Sequence, residues 1–169
     1  LALRGNFATL DNEGKIIDRR AGRKIEREDV EEISKEIEKE IKFSNPNASV
    51  VVAPTVGHRV TVRLRDGKPL SSEISNTDPA YGRIDGMGIA KAVSDFMKIE
   101  KCIPLEQTEN AISAANLVNE FTEQSLEIMK KSDVNKRRSQ KNKKLLNSIL
   151  LRDAGNKYPN VKPINDLHS

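Results

Sequence analysis

The sequence predicts an α+β fold: a mixed or antiparallel sheet of about five strands with two or three helices packed on it. Alternating and β-branched stretches fall within residues 1–18 and 48–65, whereas a 3.6-residue period is confined to 26–42 and to a long run beginning near Glu106. Strands and helices do not alternate strictly, which argues against a doubly wound parallel sheet. The 169 residues suit one ordinary domain, and although only 36% are apolar and 32% charged, Ile, Leu and Val recur periodically enough for a modest core.

Leu1–Leu10 and Lys15–Asp18 flank Asp11, Asn12, Glu13 and Gly14, so the chain opens as a β-hairpin whose turn residues tolerate positive φ. A basic loop, Arg19 to Lys24, follows. From Glu26 to Lys42, Val30, Ile33, Ile37 and Ile41 form one apolar stripe, with acids in the first turns and Lys39 and Lys42 late, as a helix dipole favours. Asn45, Pro46 and Asn47 end that helix. Ala48–Ala53 reads as a buried strand and His58–Arg65 as an alternating one, joined through Pro54–Gly57. Asp66, Gly67 and Lys68 mark a turn. Ser71 to Pro104 reads mostly as loop, with a short helix over Ala90–Met97. A long helix is expected over Glu106–Lys131, with Ala111, Ala115, Val118, Phe121, Ser125 and Ile128 on its inner side. Ser148–Leu151 then reads as a short buried strand, and Arg152 onward as loop punctuated by Tyr158-Pro159 and Lys162-Pro163.

Composition excludes several classes. One cysteine, Cys102, forbids an intramolecular disulfide, and two histidines leave little for a metal centre. No apolar run is long enough to span a bilayer, and no secretory leader pattern is present, so cytoplasmic placement is expected. The chain starts without Met and already inside a strand, as a piece of a longer protein would. The glycines at 82, 86 and 88 lack the ending of a phosphate loop, and no nucleophile elbow or zinc motif occurs. The net charge of +4 is too small to establish a nucleic-acid binder; the placement of the charge matters more.

Two cationic segments remain. In the first, Asp18, Arg19, Arg20, Ala21, Gly22 and Arg23 set three guanidiniums and a carboxylate at a strand end. The planar fork of Arg matches carboxylate and phosphate oxygens bidentately, and the Asp nearby can orient one Arg or accept a hydrogen bond from a substrate hydroxyl. His58 and Arg59 sit at another strand end, and Arg4 and Asn6 lie on the first strand. The second, Lys130–Lys144, holds eight cations and one Asp. It admits an alternative reading, a stand-alone module for RNA or another polyanion, although it lacks aromatics on which bases could stack. Its Asn135, Arg137 and Arg138 could instead reach the same small anion as the arginine loop.

Taken together, the strings Arg4-Gly5-Asn6-Phe7-Ala8-Thr9, Ile17-Asp18-Arg19-Arg20-Ala21-Gly22-Arg23, Gly57-His58-Arg59, Thr77-Asp78-Pro79 and Ile149-Leu150-Leu151-Arg152, with Ala154-Gly155, resemble the archaeal-type 2,3-bisphosphoglycerate-independent phosphoglycerate mutases of the alkaline phosphatase superfamily. The likeness runs over essentially the whole chain. It implies that residues 1–169 are a single substrate-binding domain inserted in a longer, two-domain enzyme of glycolysis and gluconeogenesis. That enzyme interconverts 3- and 2-phosphoglycerate through a phosphoenzyme. Two divalent metal ions are implied, with ligands and nucleophile outside this segment, and no bisphosphoglycerate is required. The implied partners are phosphoglycerate and the enzyme's own metal-binding domain, with no nucleic acid and no membrane. Under this resemblance Arg19, Arg20 and Arg23 clamp carboxylate and phosphate, and Asp18 steers a hydroxyl or acts as acid or base. His58 and Arg59 contact phosphate or donate a proton, and Arg4, Asn6, Asn135 and Arg138 are further binding candidates. The segment alone would be inactive.

Overall fold

The computed structural model describes residues 1–84, 87–91 and 97–157. Along the chain the elements are β1 (Ala2–Leu10), β2 (Ile16–Asp18), α1 (Arg27–Glu40), β3 (Ser49–Pro54), β4 (Arg59–Arg65), β5 (Tyr81–Ile84), β6 (Met87–Ala90), α2 (Glu109–Lys131), α3 (Asp133–Gln140) and β7 (Ser148–Gly155). Five strands form one antiparallel sheet, in accord with the α+β expectation, and β5 and β6 pair separately as a hairpin.

β1 is the hub because its inner face carries only what three neighbours can cover. It pairs with β4 through Ala2–Asn6, with β7 from Ala2 to Ala8, and with β2 at Thr9 and Leu10; β3 adds to the far side of β4. Leu3 and Phe7 point into the main core beside Val60, Val62, Leu64, Ile149 and Leu151. Gly5 lies between them. A Cβ there would stand 2.8 Å from a Val60 methyl and 3.0 Å from an Ile149 methyl, so the neighbouring strands close over a bare backbone. α1 covers β3 and α2 covers β7, each by its periodic stripe: Val30, Ile33 and Ile37 from the first, Ala111, Ala115, Val118, Phe121 and Ser125 from the second.

Among the described residues no helix packs on the opposite face of the sheet. Period-two alternation places Arg4 and Asn6 there with their register partners Thr61, Arg152 and Arg59. At one end Ala8, Ile16 and Leu150 make a small second cluster with Leu10, Met97 and Ile99.

Three expectations need correction. The stretch read as loop from Ser71 contains the β5–β6 hairpin; each strand has a glycine and neither alternates, so only mutual pairing reveals them. Ala90, where a short helix was expected to begin, ends β6 instead, and Met97 accepts a backbone bond from Ile16 (2.8 Å); residues 92–96 lie outside the described residues. β7 does not stop at Leu151 but continues to Gly155, because the Ala2–Arg4 edge of β1 is open to it. In the basic segment Ser132 ends α2 and starts α3, its hydroxyl accepting from the Val134 amide at 3.2 Å. The turn markers at 158–163 lie outside the described residues.

Candidate functional site

β1 brings two turns together. Asn6 is the register partner of Arg59 and Thr9 that of Asp18, so the start of β4 and the end of β2 abut β1 three residues apart, about 10 Å of strand. Between them the Phe7 amide donates to the His58 carbonyl (2.8 Å). The turns preceding β4 and following β2 touch: the Arg23 carbonyl oxygen lies 2.9 Å from where a Cβ on Gly57 would stand. With φ at 59°, Gly57 is required both for conformation and for clearance.

The arginine loop is tightly wound. Asp18 Oδ1 accepts from the Arg20 amide (2.8 Å) and Oδ2 from the Gly22 amide (3.0 Å). The Arg23 amide donates to the Arg20 carbonyl (2.7 Å). Ala21, Gly22 and Arg23 all have positive φ, 43°, 82° and 65°, a conformation costing a non-glycine residue about 1–2 kcal/mol. The Ala21 side chain is buried in the main core and plugs the loop down. Asp18, Arg19, Arg20, Gly22 and Arg23 line an open depression of about 480 Å³.

His58 reads out the electrostatics of this place. Its imidazole is held below the usual histidine pKa, first by burial, then by the positive charges of Arg20, Arg59 and Arg23, with Asp18 opposing. It is therefore neutral at neutral pH. Among the described residues Arg20, Arg23 and Arg59 have no carboxylate bonded to their side chains, so three positive charges act on a neutral imidazole against the single carboxylate of Asp18, which is itself bonded to its own loop.

Arg19 turns the other way. Its Nη2 donates to both oxygens of Asp78, at 2.6 and 2.7 Å. Asp78 is fully buried, accepts also from the Ala80 amide (3.1 Å), and lies 3.6 Å from Arg152 Nη1. Both guanidiniums lie over the Tyr81 ring, at 5.4 Å for Arg19 and 4.2 Å for Arg152. In the amide orientation that satisfies both its ends, Asn6 accepts from Arg152 Nη1 at 3.3 Å. Arg4, largely exposed, reaches Asp153 at 3.4 Å. The Thr77 hydroxyl accepts from the Leu151 amide (2.9 Å), which ties this segment to β7. Asp78, Tyr81 and Arg152 were not among the site candidates. An isolated Asp in a turn carries no local signal, and only the Thr77-Asp78-Pro79 string pointed to it.

Asn135 and Arg138 are not brought to the arginine cluster. Asn135 donates to the carbonyls of Met129 (2.8 Å) and Leu146 (2.9 Å) and accepts from the Leu146 amide (2.8 Å). Arg138 is buried and bonded to Glu26 (3.0 Å), Asp29 (2.7 Å) and the Lys144 carbonyl (2.8 Å). Both brace the turn into β7. The surrounding cations are engaged too: Lys136 with Asp133, Arg137 with Glu32, and Lys143 with Glu26. The Lys143 contact is the first cause holding the Glu26 carboxyl down at about 2. Four of the eight cations in the segment thus face carboxylates of the protein itself, which argues against the RNA reading.

Cys102 is buried, its thiol pushed up to about 11 by desolvation while Sγ donates to the Ser75 carbonyl (3.1 Å), so it stays protonated and unreactive. Among the described residues no three of His, Cys, Asp and Glu gather as a metal site. No helix among them is long and apolar enough to cross a membrane.

The fold and the cluster define a class: an antiparallel sheet backed by helices on one side, with unneutralised cations converging where two strand ends meet. The family model for 2,3-bisphosphoglycerate-independent phosphoglycerate mutase matches residues 1–135, and the chain belongs to that family. It is 38% identical to the enzyme of that name from Aeropyrum pernix over 96% of this chain and 38% of the relative. To one from Archaeoglobus fulgidus it is 35% identical over 98% of this chain and 36% of the relative. The solved cofactor-independent phosphoglycerate mutase from Thermoplasma acidophilum superposes with a TM-score of 0.72 at 27% identity, over 91% of this chain and 36% of that one. The chain thus spans little more than a third of the length of these relatives.

Proposed function

We propose that residues 1–169 form the inserted substrate-binding domain of a cofactor-independent phosphoglycerate mutase, holding the glycerate while phosphate passes between its 3- and 2-hydroxyls. The observation that carries this reading is that the positive charges of Arg20, Arg23 and Arg59 all act on His58 while, among the described residues, no carboxylate is bonded to any of the three side chains. A phosphoglycerate brings a carboxylate and a phosphate, the two groups that forked guanidiniums bind bidentately. Neutral His58 can donate a hydrogen bond to the same anion, and the incoming negative charge favours its protonation. Retaining glycerate between the two transfers also requires that water be kept from it, a task for the domain closing over the reacting half of the enzyme. The described residues offer no ligand set for the two divalent ions that the resemblance implies, and the binding role proposed for the arginines needs none. Such an enzyme works in glycolysis and gluconeogenesis in the cytoplasm.

Titrating the chain with 3-phosphoglycerate and with a mixed-sequence oligonucleotide at several salt concentrations tests this. Saturable, enantiomer-selective binding of phosphoglycerate with a shallow salt dependence is expected. Preference for the oligonucleotide with a steep dependence on salt would mark a polyanion binder instead.

A further inference from the structure

Among the described residues Asp18 is the one acid whose charge acts at the arginine cluster, and its geometry speaks against exchanging a proton with substrate. A general acid or base must reach the atom it serves. Here the carboxylate is turned back on its own loop, each oxygen taking one backbone N–H, from Arg20 and from Gly22. Those two bonds hold the backbone as far as the Gly22 amide, at the entry to three successive left-handed residues, Ala21, Gly22 and Arg23, two of which are not glycine. Such a conformation persists only where the surroundings over-determine it. Ala21 anchors the loop in the core, the Gly57 turn presses on the Arg23 carbonyl, and the Lys144 side chain lies 3.6 Å from where a Gly22 Cβ would stand. Only Asp18 reaches into the loop from its root.

We propose that Asp18 is a positioning residue: it holds the strained loop in shape and thereby fixes where Arg20 and Arg23 project. This rests on the anion-binding reading above and departs from the acid or base role that the resemblance implies.

Asp18→Asn in the 169-residue chain tests it, because Asn has one acceptor oxygen and would set its NH₂ against one of the two amides. The readout is the titration of His58 followed by imidazole NMR. If the loop relaxes, Arg20 and Arg23 move away and the His58 pKa rises toward the usual value. If Asp18 is only a nearby charge, the arginines stay, the one opposing influence is lost, and the pKa falls further. A rise supports the proposal; a fall overturns it. Gly22→Ala strains the same loop at φ 82° without removing a charge, so it serves should Asp18→Asn not fold. Again a rise supports the proposal, and an unchanged His58 overturns it.

Affinity for 3-phosphoglycerate gives a second measure. Asp18→Asn should weaken binding at least tenfold in the wild-type chain but threefold or less when Arg20 is already Gln, since the two act as a unit. Equal losses in both backgrounds overturn the proposal. A wild-type chain that binds no phosphoglycerate would sink the substrate reading, and the His58 titration would still decide the role of Asp18.

Discussion

Two regions of this molecule are equally rich in arginine and lysine and behave as opposites. Around α3, Arg137, Arg138 and Lys143 each meet a carboxylate from Glu32, Glu26 or Asp29, all within or just before the first turns of α1. At the end of β2 and the start of β4, the positive charges of Arg20, Arg23 and Arg59 all act on His58, and none of the three side chains is bonded to a carboxylate among the described residues. The difference lies in what the fold delivers opposite each cation, not in residue type. The acids at 26, 29 and 32 recur every third residue, share a helix face, and that face lies against α3. Among the described residues no acidic helix faces the ends of β2 and β4, and the one acid there, Asp18, is bonded to its own backbone. Paired cations hold the fold together; unpaired ones, kept close at an electrostatic cost, are available to a ligand.

The largest expected effect is on the paired side. Arg138→Ala removes a buried guanidinium and strands Asp29, which is mostly buried, and Glu26, which is half exposed. Breaking a buried pair costs about 3–5 kcal/mol, and solvent around Glu26 puts this case near the lower figure, about 3 kcal/mol. Chemical denaturation reads it directly, and phosphoglycerate affinity should not change in the protein that remains folded. A loss below about 1 kcal/mol would mean that the pairing is not what secures α3.

On the unpaired side the signs reverse. Arg20→Ala and Arg23→Ala should each cost about 2 kcal/mol in binding 3-phosphoglycerate, roughly thirtyfold in dissociation constant. Folding stability should hold or rise slightly, since each removes repulsion. Wild-type affinity in both variants would take these residues out of the site.

The smallest effect is in the pH dependence. Because the folded His58 pKa lies below the usual 6.5, the unfolded chain binds more protons in the window just under that value. Its contribution to stability is therefore complete above about pH 6.5 and lost as pH falls toward the folded pKa. An anion bound among the arginines offsets their charge and raises the His58 pKa, so binding near pH 6 should take up protons. Calorimetry in two buffers of different ionisation enthalpy measures that uptake, which His58→Gln should abolish.

Local pattern made much of this legible in advance. The stripe of Val30, Ile33 and Ile37 announced α1 and its buried face, alternation at Val60, Val62 and Leu64 announced β4, and the run from Asp18 to Arg23 announced a cationic loop at a strand end. What escaped were features with no local period. The β5 and β6 strands need each other, and β7 beyond Leu151 needs the free edge of β1. Asn135 and Arg138 stood among the binding candidates behind the arginine loop, because nothing near them in the chain shows that Leu146, Glu26 and Asp29 will meet them.

The order of apolar and polar residues therefore determined which segments are strands and helices, which face of each is buried, and where the arginines cluster along the chain. Tertiary structure alone decided which of those arginines are neutralised, how Asp78 comes to sit between Arg19 and Arg152, and that Asp18 faces its own loop. The physical reason is range. Backbone periodicity and side-chain burial are set within a few residues, whereas a charge is satisfied or left open by partners that lie sixty to more than a hundred positions away and arrive only when the sheet closes.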